Sequence, residues 1–285
     1  MNILGISRSP RFSPHSVDRD AAIFSAVSAR MLRGRNRVSV ISEDLFIDPD
    51  LSEFDLIFSM ARDSRVLRIL AEAEAKYGIP VFNSAQAIIK YDRSHLTQLF
   101  SGLGLSQPPS RIIRLSSERP QDALNGLKYP LWIKRGESCA QSEGDVCFAE
   151  NAEEVSEILE KFSCEGIREL VVSEHASGDL IKFYGVEGTS FFDYSYPMEE
   201  GGFSKFGLEE HNGHPTHYVF SLDDLKKLCN LAARKSGFTI YGGDAVICPD
   251  GTPLIIDFND WPSFASCRKE AAKAIATRIK SVCQE

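Results

Sequence analysis

Gly242-Gly243-Asp244-Ala245-Val246-Ile247, the turn Pro249-Asp250-Gly251, and Leu254-Ile255-Ile256-Asp257-Phe258-Asn259-Asp260-Trp261-Pro262 form the stretch that decides how this chain is read. Two apolar runs joined by turn-forming residues predict a buried β-hairpin. Asp250-Gly251 favours a two-residue type I′ turn, and that register sets Asp244 opposite Asp257. Asn259 lies two residues beyond Asp257, so the pleat puts it on the same face. Unpaired buried carboxylates are costly, and an oxygen cluster of this kind implies a cation. Hard oxygens at this density suit Mg²⁺, which takes one or two carboxylates and completes its octahedron with water and phosphate oxygens.

The rest of the sequence is that of an ordinary globular chain. Its 285 residues are enough for about two domains, 43% of them are hydrophobic and 25% charged, and no run approaches the ~20 apolar residues that span a bilayer. Met1-Asn2-Ile3-Leu4-Gly5-Ile6 runs straight into a strand with no basic segment or cleavage site, so the cytosol is the default expectation. Seven scattered cysteines, never spaced C-x-x-C, suggest neither a disulfide framework nor a zinc knuckle. A formal charge of −8 argues against non-specific nucleic-acid binding, which needs clustered Lys and Arg.

Upstream of the hairpin, expected strands at 2–6, 37–41, 56–60 and 80–83 alternate with helices at 17–32 and 62–77. This βα series marks a small doubly wound parallel α/β domain. A helix over 85–104 closes on Gly-Leu-Gly and Pro-Pro. Strands are then expected at 110–115, 129–134, 145–149 and 169–174, with a helix at 152–162. A further hairpin (180–186, 189–194), a helix at 222–236, the opening hairpin and a last helix at 268–283 complete the series.

Lys134 ends the apolar strand Pro130-Leu131-Trp132-Ile133-Lys134 and precedes a loop of small residues flanked by Gly136 and Gly144. A cation so placed, with backbone N–H groups beside it, suits phosphate oxygens. In Val171-Val172-Ser173-Glu174-His175-Ala176-Ser177-Gly178-Asp179-Leu180-Ile181-Lys182, a connector between two strands exposes groups that read an adenine edge. There Asp179 suits ribose hydroxyls and Lys182 phosphate; a plain Ser-Gly-Asp hairpin turn explains Gly178 equally well.

In this order the pieces resemble the ATP-grasp superfamily, including its ribosomal-protein glutamate ligase-like and inositol phosphate kinase-like members. The resemblance runs from about residue 83 to 262. Its elements are the helix opening Asp92-Arg93, the exit Gly104-Leu105-Ser106-Gln107-Pro108, Lys134-Arg135, the hinge 174–178, Gly242 with Asp244, and Asp257-Phe258-Asn259-Asp260-Trp261-Pro262-Ser263. The pattern departs at Arg135 (usually proline), Asp257 (more often glutamate), Ser263 (usually glycine) and in a glycine-poor loop over 136–144. The resemblance implies a two-lobed ATP-grasp fold after the N-terminal domain, with boundaries 1–92, 93–174 and 175–285, and the cofactors ATP and Mg²⁺. It assigns Arg93, Lys134 and Lys182 to phosphates, Glu174 and Ala176 to adenine, Asp179 to ribose, and Asp244, Asp257 and Asn259 to Mg²⁺.

Most of the family phosphorylates a carboxylate and lets an amine attack the acyl phosphate, so Lys134, Lys182 and Arg268 would serve catalysis by neutralising charge. The first expectation is a carboxylate–amine ligase acting on small-molecule or peptidyl substrates, with no nucleic-acid or membrane partner. A phosphotransfer enzyme acting on an inositol phosphate-like alcohol is the second, disfavoured because the loop 203–217 offers Lys205 alone besides histidines. A non-catalytic nucleotide-binding module is the third; it should have lost its metal ligands. For the acceptor, Arg8 and Arg11 follow the first strand and suit a carboxylate clamp, unless they pair with acids such as Asp18 and Asp20. Ser263, Ser266 and Arg268 lead into the last helix, where an anion would be received. His211, His214 and His217 lie in a Gly/Pro-containing loop that lacks a zinc scaffold. Cys267 reads as a buried bystander.

Overall fold

The computed structural model describes all residues except 34, 48, 117–119, 138–143, 200–206 and 283–285. Three four-stranded sheets organise it. In the first, β1 (Asn2–Ser7), β2 (Arg37–Ser42), β3 (Leu56–Ser59) and β4 (Val81–Phe82) run parallel in the order β2-β1-β3-β4. Ile3, Leu4 and Ile6 of β1 are all buried, as a central parallel strand covered on both faces requires. One face carries α1 (Val17–Met31), through Ile23, Phe24, Val27 and Met31. The opposite face carries α2 (Ser64–Tyr77), through Val66, Leu67 and Leu70. Asp63 caps α2 by accepting the N–H groups of Arg65 and Val66, and Gly78 ends it in the left-handed region.

Where one helix was expected over 85–104 there are two, α3 (Ala85–Lys90) and α4 (Arg93–Gly102). The break has a local cause: the Asp92 carboxylate accepts the His95 N–H and starts α4 afresh, which places Arg93 in its first turn. The second sheet is antiparallel, ordered β5-β8-β6-β7, from β5 (Ser110–Arg114), β6 (Leu131–Arg135), β7 (Val146–Ala149) and β8 (Glu169–Glu174), with α5 (Ala152–Cys164) packed on it. The third, also antiparallel, is ordered β10-β9-β11-β12. It comprises β9 (Asp179–Val186), β10 (Phe192–Ser195), β11 (Ile240–Ile247) and β12 (Pro253–Asp260), with α6 (Leu222–Ser236) against one face. The last helix, α7 (Arg268–Val282), shares a core with α1.

Asp244 does stand opposite Asp257, by a different route from the one the turn suggested. The connection is a three-residue loop: the Gly251 N–H bonds to the Cys248 carbonyl, Gly251 is left-handed at φ 84°, and Ile247 pairs with Pro253. That register alone is one residue out at the acids. A β-bulge restores it, since pairing jumps from Ala245–Ile255 to Asp244–Asp257 and leaves Ile256 as the extra residue.

Glu43 fixes the carboxyl-end loops of the first sheet. Only 1% exposed, its carboxylate accepts the backbone N–H groups of Ser9, Arg62 and Asp63 at 2.5, 2.8 and 2.7 Å. Glu43→Gln turns an NH₂ group against at least one of these donors, and is expected to cost about 3 kcal/mol of stability. A fall in the urea midpoint at unchanged m-value would register it.

Candidate functional site

A cavity of about 500 Å³ runs between the three sheets, from Trp132 and Leu180 at one end to Arg8 and Asp20 at the other. The acids of the hairpin lie along it. Asp244, Asp257 and Asn259 all line the cavity, from neighbouring strands of the third sheet. Gly243 permits this approach, because a Cβ there would stand 2.1 Å from the Asp257 carbonyl oxygen. Asn259 Nδ2 donates to Asp257 Oδ2 at 3.1 Å.

Three cations face these oxygens. Lys134, at the end of β6, donates to the carbonyl of the bulge residue Ile256 at 2.8 Å. Arg93, in the first turn of α4, donates to the Arg135 carbonyl at 2.7 Å and lies 3.5 Å from Asp257 Oδ1. Lys182, on β9 directly across from Asp244, lies 3.2 Å from Asp244 Oδ1 and 3.2 Å from Glu209 Oε1. Lys134, Arg93, Lys182 and Glu209 all line the cavity.

Burial and charge set these groups apart. Burial pulls the Lys134 ammonium below its ordinary pKa, against the opposing pull of Asp257. Burial works against the Asp257 carboxylate too, but the Arg93 and Lys134 charges outweigh it and hold Asp257 below the usual range. For Asp244 burial wins over Lys182, and its pKa rises. Burial disfavours the Lys182 cation as well, yet Asp244 and Glu209 together carry its pKa above the ordinary lysine value. Tyr184, also on the wall, is pushed up to about 12 by burial and keeps its phenolic proton.

The other residues singled out in the sequence fare differently. Glu174 turns its carboxylate to the Lys128 N–H at 3.0 Å, and the Ala176 carbonyl accepts from Asn212 Nδ2 at 2.9 Å. Asp179, the residue expected at a ribose, is 3% exposed and accepts the N–H groups of Thr216 and Tyr218 at 2.6 and 2.8 Å. Neither the hinge residues 174–178 nor Asp179 is among the residues that line the cavity. Arg8 lines the cavity but spends three donors on structure, at Asp20 Oδ2 (2.9 Å), Met60 O (3.1 Å) and Trp261 O (3.2 Å). Arg11 lies outside the cavity lining, on the surface acids Asp63 (2.5 Å) and Asp44 (3.8 Å). At the entrance to α7, Ser263 lines the cavity, whereas Ser266 and the first helical residue Arg268 do not.

The histidines part company: His211 stacks on Phe148 at 4.0 Å, and His217 lies 2.9 Å from Glu199. Cys267 is buried, and its thiol is pushed up to about 12 by that burial, with the Asp193 charge adding to it. The loop residues 138–143 and Lys205 lie outside the described residues.

Sequence reasoning missed Arg62, paired with the 3%-exposed Asp260, and Glu209; both Arg62 and Glu209 line the cavity. Asp260 carried a signal, being a charged residue on the inward-facing side of an apolar strand. Glu209 carried none, since it sits in a polar turn far from its partner in sequence.

No protein-family model and no curated protein matches the sequence. Solved structures do match it, end to end. VanG D-Ala:D-Ser ligase from Enterococcus faecalis superposes with a TM-score of 0.72 at 15% identity, over 99% of each chain. D-Alanine–D-alanine ligase from Bacillus anthracis, in complex with ATP, gives 0.68 at 14% identity over 100% of this chain and 99% of that one. A RimK domain ATP-grasp protein from Sphaerobacter thermophilus gives 0.66 at 16% identity, over 98% of this chain and 99% of that one. No helix among the described residues is long and apolar enough to cross a membrane. With three sheets arranged around one cleft and superposition over its whole length, the chain has the ATP-grasp fold.

Proposed function

We propose that this protein is an Mg-ATP-dependent ligase that joins a small-molecule or peptidyl carboxylate to an amine, releasing ADP and phosphate. One observation carries the reading: Arg93, Lys134 and Lys182 converge with Asp244, Asp257 and Asn259 along a single cavity. Cations for phosphate oxygens and hard oxygens for a small divalent ion are thereby set a few ångströms apart. The names of the structural neighbours, ligases of D-alanine and D-serine and a RimK-type protein, point the same way.

The donor set fits Mg²⁺: two carboxylates and one carboxamide oxygen on adjacent strands, open to the cavity. When bound, the ion would neutralise charge on the transferred phosphoryl oxygens. Lys134 spends one donor on Ile256, which fixes its ammonium at the cavity wall with two N–H groups left for phosphate. Lys182 reaches the same region once Glu209 yields to an incoming anion. Trp132 and Leu180 supply an apolar slot beside the hinge backbone for the base. In this reading residues 1–92 shape the acceptor end, where Arg8 and Arg62 flank the cavity, while 93–174 and 175–285 hold the nucleotide between them.

The test is to incubate the purified protein with Mg-ATP and pooled carboxylates and amines, D-alanine and D-serine among them, following ADP, phosphate and product masses. Ligase action gives a condensed product with free phosphate. A phosphorylated acceptor would replace this reading with phosphotransfer to an alcohol, and nucleotide binding without turnover would replace it with a binding module.

A further inference from the structure

The outer edge of the first sheet is left open in a way that the nucleotide reading does not use. Among the described residues, β2 is an end strand paired only with β1. The Arg37 N–H points inward, to the Met1 carbonyl, so the alternation of a strand turns the N–H and C=O groups of Val38, Val40 and Ser42 outward. Natural edges are usually blunted by proline, bulges or charge along the strand. This one has neither proline nor a bulge, and its central residue Val40 is 56% exposed. Leu32 precedes β2 in the chain and Leu45 and Ile47 follow it, and they are 54, 68 and 77% exposed.

Charge along the edge is polarised. Arg33, Arg35 and Arg37 sit at its start, all exposed, and Asp44 and Asp50 follow its end, exposed as well. Parallel addition of a second copy would set like charges side by side, whereas antiparallel addition sets each basic end beside an acidic end. With Val40 opposite Val40 of the second copy, outward N–H and C=O groups meet as hydrogen-bonded pairs about a twofold axis, and Val38 meets Ser42. β4, not β2, is the edge nearest the cleft, because Asn83 bonds to Ile240 of β11, so pairing through β2 leaves the cavity open.

We infer that the protein forms a twofold-symmetric dimer by antiparallel pairing of β2 with β2 of a second copy, making one continuous eight-stranded sheet from two four-stranded ones. Sedimentation equilibrium of the full chain tests this. Wild type should sediment as a dimer at micromolar concentration. Val40→Lys, at an exposed position, should sediment as a monomer with an unchanged circular dichroism spectrum. Arg35→Glu should weaken the dimer and Arg35→Glu with Asp44→Arg should restore it. Asp44 has a second cation, Arg11, at 3.8 Å, so the charge-reversal pair is read against Asp44→Arg alone. A monomeric wild type, higher oligomers, or a dimer indifferent to Val40→Lys would each overturn the inference. None of these outcomes depends on whether the protein turns over ATP.

Discussion

Asp257→Asn is expected to lower Mg-dependent turnover by about 10³-fold, since it strips one anionic ligand from a preorganised charge cluster while keeping its shape. The side chain meets Arg93 and Asn259, and it is the anion that offsets the buried Lys134. The carboxamide keeps an oxygen for Asn259, so the fold should lose only about 1–2 kcal/mol. A magnesium titration of turnover, run beside a thermal melt, separates the two effects. Unchanged turnover would remove Asp257 from the metal set, and with it the central observation behind the ligase reading.

Lys134→Met should separate activity from stability more cleanly. Turnover is expected to fall by about 10²–10³-fold with loss of the cation that the proposed reading sets against the phosphates. Stability should change by only about 1–2 kcal/mol, because the burial cost of the ammonium is relieved while the Asp257 carboxylate keeps Arg93 but loses one of its two cations. The Ile256 carbonyl also loses its donor. Lys134→Arg supplies the pH control. Turnover in wild type should decline on the alkaline side earlier than an ordinary lysine would cause, as rising pH passes the lowered pKa and removes the charge. A guanidinium stays charged throughout and should erase that decline. Steady-state kinetics across the alkaline range and a urea midpoint decide both points.

How far the sequence could be read followed how local each cause was. The hairpin, the βα series and the Lys134 strand all declared themselves through periodicity and turn residues. The break between α3 and α4 was also written locally, in Asp92 and the His95 N–H three residues on, and the apolar periodicity on either side masked it. The opposition of Asp244 and Asp257 was right at the acids although the turn was not of the expected type. A three-residue loop and a bulge shift the register in opposite directions, and neither is visible in a pattern that alternates by two. Side-chain partners were hardest. Asp179 bonds to residues 37 and 39 positions away, Arg8 to Trp261 across 253, and Lys182 to a glutamate in a polar turn. Such pairings depend on how the sheets meet, and no spacing within one element encodes them.

The ties between the first and third sheets have a mechanical consequence. Asn83 exchanges two hydrogen bonds with Ile240, Trp261 Nε1 donates to the Phe82 carbonyl, Arg8 donates to Trp261 O, and Arg30 and Lys280 bind α1 to α7. In the proposed reading the acceptor end and the metal strand are therefore tied into one unit. The β5-β8-β6-β7 sheet has a core of its own and meets β12 through Lys134 and Ile256. Opening the cavity to the proposed nucleotide would then turn that sheet away from β12 and break the Lys134–Ile256 bond.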